Sequence, residues 1–280
     1  MEKIKKLKKI LKQKKLDGYI VPKNDEFFNE YVPKNKDRLK FISNFSGSAG
    51  FAIILKNKNY LFVDGRYSIQ GQIQSGKNFK IITIPQKFPK DILKTNTKLK
   101  IGFDPKLHSE NKINLLFKIK NIILKPIKKN LVDVTWHKRP KNKIKPFFSL
   151  SKKDAGQSFK KKIKNVKNFL FKNKINYLFV TAPENVAWVL NIRGYDSAFS
   201  PVPNARLLIN NKGKIDLFSN LKKIKKIKKK FNNNGINKIT NKINFDLTKD
   251  QLIAIDQINN DLKSNQKMFR LLQGDVGSGK

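Results

Sequence analysis

Residues 41–47 read FISNFSG, and about 150 residues later residues 188–194 read WVLNIRG. Both stretches follow the order apolar, apolar, any residue, Asn, apolar, any residue, Gly. Self-similarity at a fixed distance along a chain is the sequence signature of a repeated structural unit. The pair therefore predicts two copies of one fold within the 280 residues.

The segments around the two stretches repeat in the same order. A Lys-rich helix comes first, with apolar residues three and four apart in residues 1–15 and a similar pattern in 159–174. A short apolar strand that ends near a Pro turn follows, at 18–21 and again at 177–180. Each copy closes with a predicted hairpin around a polar turn, 51–55 with 60–63 and 206–209 with 215–218. This order of elements predicts an α/β unit in each copy.

The sequence between the copies supplies further elements. Strands are predicted at 80–85, 100–103 and 121–124, a helix at 109–118 capped by Ser109, and a helical stretch from Asp25 to Ile42. Residues 140–146 begin and end with Pro, which is typical of a linker. We thus predict the α/β class with two tandem mixed-sheet domains, residues 1–140 and 141–220, and the end of the second domain stays open.

The composition limits the classes of function. The chain has 62 basic and 20 acidic residues, a net charge of +42, but 56 of the basic residues are Lys and they are spread along the whole chain. Nucleic-acid readers concentrate their charge on one face and favour Arg, so we do not expect DNA as a partner beyond non-specific contacts. The absence of Cys excludes disulfides and thiolate metal sites. No apolar run is long enough for a membrane span or a signal peptide, so we expect a cytoplasmic protein without membrane contact.

Two polar loops place the scarce arginines beside glycine. Residues 64–67 read DGRY at the exit of the first hairpin, and residues 191–196 read NIRGYD. An Arg in such a loop can bind a carboxylate with two parallel hydrogen bonds, although a structural ion pair accounts for the first loop equally well. The candidate binding residues are Asp64, Arg66, Asn191, Arg193 and Asp196.

These loops belong to an ordered set of motifs that resembles aminopeptidase P, a family of manganese-dependent Xaa-Pro aminopeptidases. The resemblance covers about residues 1–220. Its motifs are DGYIVP at 17–22, EYV at 30–32, Arg38, ISNFSGSAG at 42–50, DGRY at 64–67, IGFDP at 101–105, NLVD at 130–133, Trp136, RP at 139–140 and VLNIRG at 189–194.

The resemblance implies a fold and a role. In the long form of the family, two creatinase-N-like domains precede a metallopeptidase domain, where two Asp, one His and two Glu hold two Mn ions. We find no such set here, so we expect no catalytic residues, no metal and no cofactor in this chain, and no activity by itself. His108 and His137 are expected to be ordinary surface or hydrogen-bonding histidines.

The family further implies partners. Its creatinase-N-like domains shape the substrate entrance and mediate dimer contacts, which are the roles we expect for the five candidate residues. The chain is therefore expected to form a homodimer, and to meet Xaa-Pro peptides only together with a catalytic domain.

The last part of the chain has another character. Residues 221–244 form a Lys- and Asn-rich stretch that predicts a linker, and residues 245–280 predict a helix and a strand leading into GDVGSGK. The G-x-x-x-x-G-K pattern after a strand is that of a phosphate-binding P-loop, and this segment resembles the start of the motor domain of RecG-type ATP-dependent DNA helicases. The resemblance assigns nucleotide binding, with ATP and Mg, to Gln251, Gly274, Gly277, Gly279 and Lys280.

Three interpretations follow. The first is the non-catalytic N-terminal region of an Xaa-Pro aminopeptidase, joined to an incomplete helicase segment that lacks the Ser or Thr for Mg and is not expected to hydrolyse ATP. The second is a nucleic-acid-dependent ATPase, which predicts tight, salt-dependent DNA binding. The third is a stand-alone dimerisation module, which predicts a stable dimer without activity.

Overall fold

The computed structural model describes residues 2–227, and the chain divides into a first unit that ends at Asn142 and a second that begins at Lys143. The last residues of the expected 221–244 linker, from 228 on, and the whole P-loop segment 245–280 lie outside the described residues.

The first unit alternates short helices with strands of one sheet. Its helices are α1 (Glu2–Gln13), α2 (Arg38–Ser43), α3 (Ser68–Ser75), α4 (Pro89–Ile92), α5 (Glu110–Phe117) and α6 (Leu131–Thr135). Its strands are β1 (Gly18–Pro22), β2 (Gly50–Leu55), β3 (Asn59–Asp64), β4 (Lys80–Ile84), β5 (Leu99–Phe103) and β6 (Ile122–Pro126).

The six strands form a mixed sheet in the order β4-β3-β2-β1-β5-β6. Strands β1, β2 and β3 pair antiparallel, whereas β4, β5 and β6 each pair parallel to a neighbour. Because side chains alternate across a strand, Tyr19 and Val21 join the core beneath α1, and Ile20 joins the core that α5 covers. The mixed sheet expected for this half is confirmed.

One sequence expectation in this unit is wrong. The helix predicted from Asp25 begins only at Arg38. The Asp25 carboxylate accepts hydrogen bonds from the backbone N–H groups of Phe27 and Asn29, which stabilises a turn instead of a helix. Asp37 then caps α2 by accepting the N–H of Lys40.

The second unit has helices and strands in a similar order. Its helices are α7 (Lys152–Ala155), α8 (Phe159–Lys172), α9 (Pro183–Leu190) and α10 (Leu221–Ile224). Its strands are β7 (Phe148–Ser149), β8 (Tyr177–Val180), β9 (Ile192–Arg193), β10 (Arg206–Asn210) and β11 (Ile215–Phe218). In the described part of this unit, β8, β10 and β11 form an antiparallel sheet, and β7 pairs antiparallel with β9, so its strand pairing is not mixed there.

The structure explains the repeated sequence motif. In both units a helix, a strand and a second helix precede a hairpin, and the first strand of the hairpin lies between the other two strands. Asn44 ends α2 with φ +68°, and Asn191 ends α9 with φ +50°, a left-handed conformation that Asn tolerates better than most residues. The final residue of the second motif, Gly194, must be glycine because the backbone of Val202 lies close to it. A Cβ at Gly194 would lie 2.8 Å from the Val202 carbonyl oxygen.

Candidate functional site

The Asp64–Arg66 pair lies at the end of β3 on an exposed turn. The Arg66 Nε lies 2.8 Å from Asp64 Oδ1, and the same carboxylate accepts the Arg66 backbone N–H, which caps the short 3-10 turn Gly65–Tyr67. These hydrogen bonds hold the pKa of Asp64 below its usual range. The Arg66 side chain is 71% exposed and the Asp64 side chain 42%, so the pair contributes little to stability and is accessible to a ligand.

A polar network joins this turn to the loop before β2. The Tyr67 hydroxyl lies 2.8 Å from Ser48 Oγ, and this contact lowers the pKa of Tyr67. Ser46 donates its backbone N–H to Gln74 Oε1, and Gln70 donates to Ser46 Oγ. The loop and α3 therefore form one continuous surface held together by uncharged side chains.

The exposed face of α3 is apolar as well as uncharged. Ile69 and Ile73 are 75% and 79% exposed and lie one helical turn apart. Helix α3 contains no charged residue, whereas α8 carries six Lys in 14 residues. We call this region, Ser46, Ser48 and residues 67–74, the α3 surface.

In the second unit, Arg193 and Asp196 organise the loop after β9. The Arg193 guanidinium donates to the backbone carbonyl oxygens of Ala187 and Ile192 at 3.1 and 2.9 Å. The Asp196 carboxylate accepts the Asn204 backbone N–H at 2.7 Å and forms an ion pair with Lys223. Both side chains are half-buried, so each can still reach a ligand at the surface.

Asn191, the fifth candidate, lies buried within the second unit. It is 3% exposed, its amide donates to the Gln157 carbonyl oxygen at 2.7 Å, and its Oδ1 accepts from Lys162 Nζ at 2.7 Å. Lys162 also donates to the Trp188 carbonyl oxygen, and burial lowers its pKa. Because this amide is buried and satisfied within its own unit, we assign Asn191 to the packing of α8 against α9.

A buried ionic cluster in the first unit was not predicted as such. Arg38 is 2% exposed and makes two 2.8 Å bonds to Asp133 and a 2.7 Å bond to Glu26, while Lys36 and Arg139 pair with the same carboxylates. Burial raises the pKa of Glu26, but the charges of Arg38 and Lys36 outweigh it and lower that pKa to about 2. The scarcity of Arg in the chain is the signal that could have pointed to this cluster.

The two histidines differ in environment. His137 is exposed, as expected. His108 is largely buried beside Phe103, and neither ring nitrogen has a hydrogen-bond partner among the described residues, so the expectation of a surface or hydrogen-bonding residue is wrong for His108. Burial, with a smaller effect from Lys112, lowers the pKa of His108 to about 4.

Residues 2–227 do not fit a dinuclear metal centre, because no group of three or more His, Cys, Asp or Glu there could hold a metal ion. None of the helices in that range is long and apolar enough to cross a membrane. The nucleotide-binding candidates Gln251, Gly274, Gly277, Gly279 and Lys280 lie outside the described residues. The five other candidates fall into two groups, with Asp64 and Arg66 in the first unit and the rest in the second.

Comparison with protein families identifies both units. The family described as Creatinase/Prolidase N-terminal domain matches residues 3–132, and a second family of the same description matches residues 138–273. The chain belongs to the creatinase/prolidase N-terminal domain family. The second match extends across most of the segment in which the sequence analysis expected a helicase.

The relatives of these two creatinase/prolidase domains are peptidases. A probable Xaa-Pro aminopeptidase P of Coprinopsis cinerea is 38% identical over 209 residues, 70% of this chain and 33% of the relative. Aminopeptidase P1 of Lotus japonicus is 31% identical over 250 residues, 87% of this chain and 38% of the relative. The chain therefore spans little more than a third of the length of these relatives.

A solved structure shares the fold. The X-prolyl aminopeptidase from Caenorhabditis elegans, described as a cytosolic enzyme with a di-nuclear active site, matches with a TM-score of 0.77 and 27% identity over 83% of this chain and 41% of that one. The resemblance of residues 1–220 to the N-terminal domains of aminopeptidase P is thereby confirmed. The resemblance of residues 245–280 to a RecG-type helicase has no support in the comparisons.

Proposed function

We propose that the chain is the non-catalytic N-terminal region of an Xaa-Pro aminopeptidase, which releases the residue before a penultimate proline. The observation that carries the proposal is the tandem match to two creatinase/prolidase N-terminal domains. Since residues 2–227 do not fit a dinuclear centre, we assign bond cleavage and the two Mn ions to residues outside that range. We place the protein in the cytoplasm, in line with its lack of Cys and the description of its C. elegans relative as cytosolic.

In this role each unit presents polar side chains to the peptide at the substrate entrance. Arg66 offers an exposed guanidinium, whose planar fork can make two parallel hydrogen bonds to a peptide carboxylate. Arg193 and Asp196 lie at a second polar loop and combine opposite charges near the surface. We propose that these residues orient Xaa-Pro peptides before they reach the metal centre.

Kinetics of a full-length enzyme that carries these two domains test the proposal. We expect Arg66→Ala, Arg193→Ala and Asp196→Asn to raise KM for Xaa-Pro peptides several-fold at nearly unchanged kcat, because only uniform binding is lost. Lys56→Ala is the matched control, since it removes one partner of another exposed ion pair, with Asp17. Variants that lose melting temperature while KM stays intact would show that these residues serve folding alone.

We also propose that the chain forms a homodimer through its N-terminal unit, with the α3 surface as the contact. Two copies with a net charge of +42 repel each other wherever their Lys-rich faces meet. Residues 67–74 of the α3 surface carry no charge, so this stretch does not repel a second copy. The same stretch exposes Ile69 and Ile73. Its isoleucines can be buried against the same face of a second copy.

A further inference from the structure

A groove of 410 Å³ lies between α8 and the turn that joins β10 to β11. Five lysines line it. Lys160, Lys164 and Lys167 come from one face of α8, at positions i, i+4 and i+7, and Lys212 and Lys214 come from the turn. We call these five residues and the space between them the lysine groove.

The turn that carries two of the lysines is held in a defined conformation. Asn210 Oδ1 accepts the backbone N–H groups of Lys212 and Lys214 at 3.0 and 2.8 Å. Gly213 has φ +85°, and a Cβ there would lie 3.4 Å from the side chain of Lys167. The turn thus lies directly against the helix, and the groove is part of the fold of the second unit.

Within residues 2–227, no carboxylate neutralises the charges of the lysine groove. In the described part of the chain none of the five lysines forms an ion pair, and no carboxylate lines the groove. Five positive charges around one concave surface concentrate the field there and favour a polyvalent anion, whose binding also releases counterions.

We propose that the lysine groove binds short linear chains of phosphate groups, either free polyphosphate or the backbone of a single-stranded nucleic acid. Lys acts on phosphate as a point charge and does not read shape, and among residues 2–227 no aromatic side chain lines the groove to stack on bases. Binding therefore depends on phosphate charge and not on base sequence. The proposal goes beyond the peptidase role and does not depend on it.

Two variants with the same net charge separate this site from the general positive charge of the chain. In the groove variant, Lys160, Lys164, Lys167, Lys212 and Lys214 are all replaced by Gln. In the control variant, five exposed lysines of the first unit are replaced by Gln, namely Lys5, Lys9, Lys12, Lys14 and Lys58. Circular dichroism checks that both remain folded, and the pair Lys212→Gln with Lys214→Gln provides a smaller change that touches only the turn.

The probes are inorganic tripolyphosphate, measured by calorimetry, and a fluorescent oligo-dT strand, measured by anisotropy. We expect the groove variant to weaken binding about tenfold or more and to flatten the dependence of log K on log salt, and the control variant to change binding less than threefold. If the groove variant loses affinity for tripolyphosphate, the ligand is free polyphosphate. If it loses affinity for oligo-dT only, the ligand is a single-stranded nucleic acid. Equal losses in both variants, or no binding of either probe by the unaltered chain at low salt, would overturn the proposal.

Discussion

His108 shows how a single residue can link the fold to pH. Its imidazole is buried beside Phe103 and has no hydrogen-bond partner among the described residues, so the neutral form is strongly favoured in the folded state. Its pKa is lowered from near 6.5 to about 4. The unfolded chain therefore binds a proton at a higher pH than the folded chain does. The contribution of His108 to stability is complete above pH 6.5 and is lost as the pH falls towards 4.

We expect the free energy of unfolding to fall by roughly 3 kcal/mol between pH 6.5 and 4 on account of His108. His108→Phe keeps an aromatic ring against Phe103 and should remove this loss, and His137→Phe, at an exposed histidine, is the matched control. Urea denaturation at several pH values measures the effect. If His108→Phe loses stability between pH 6.5 and 4 as steeply as the unaltered chain, the neutral buried imidazole is not its cause.

At the scale of elements, the two asparagine helix caps occupy the same position of the repeated motif in the two units. Both adopt positive φ, but Asn44 is exposed, whereas Asn191 is buried and bonded to Lys162 and Gln157. In the first unit, Asn44 therefore supplies only the backbone conformation that ends the helix. In the second unit, Asn191 supplies the same conformation and also makes buried hydrogen bonds with its side chain.

This difference predicts that replacing the capping Asn by Gly has different effects on stability in the two units. Asn44→Gly should leave stability nearly unchanged, because glycine adopts positive φ without strain. Asn191→Gly should cost about 1–3 kcal/mol, because the buried ammonium of Lys162 loses an acceptor. Denaturation of both variants measures the difference. Equal effects of the two substitutions would contradict the role given to the Asn191 side chain.

The α3 surface predicts the mode of self-association. We expect the chain to sediment as a dimer, Ile69→Lys with Ile73→Lys to shift it to a monomer, and added NaCl to strengthen the dimer by screening the repulsion between copies. Leu115→Lys is the matched control, since Leu115 is an 85% exposed apolar residue on α5. The proposed contact is contradicted if the unaltered chain stays monomeric at high concentration. It is also contradicted if Leu115→Lys abolishes the dimer as fully as the double isoleucine variant does.

At the scale of the whole molecule, the net charge of +42 dominates the electrostatics. The 62 basic residues outnumber the 20 acidic ones about threefold, so most lysines have no carboxylate of their own to pair with. Self-repulsion of this size destabilises a compact state. We expect the melting temperature to rise by several degrees between about 0.02 and 0.5 M NaCl, where the Debye length falls well below 10 Å. A melting temperature that falls with NaCl would mean that ion pairs such as those of Arg38 outweigh the repulsion.

The sequence by itself determined the repeat, both hairpins and most strands, because these depend on periodicity and turn chemistry over a few neighbouring residues. The family followed from the resemblance of its ordered motifs to those of aminopeptidase P. The sequence predicted Arg66, Arg193 and Asp196 in polar loops, and the structure has Arg66 in a short 3-10 turn and Asp196 in a loop, whereas Arg193 lies in the short strand β9. The tertiary structure alone decided which charges are buried. Lys162 and His108 resemble any other lysine and histidine in the sequence, yet the fold buries the Lys162 side chain and both ring nitrogens of His108. Burial depends on contacts with residues that are distant along the chain, and local sequence patterns do not predict these contacts.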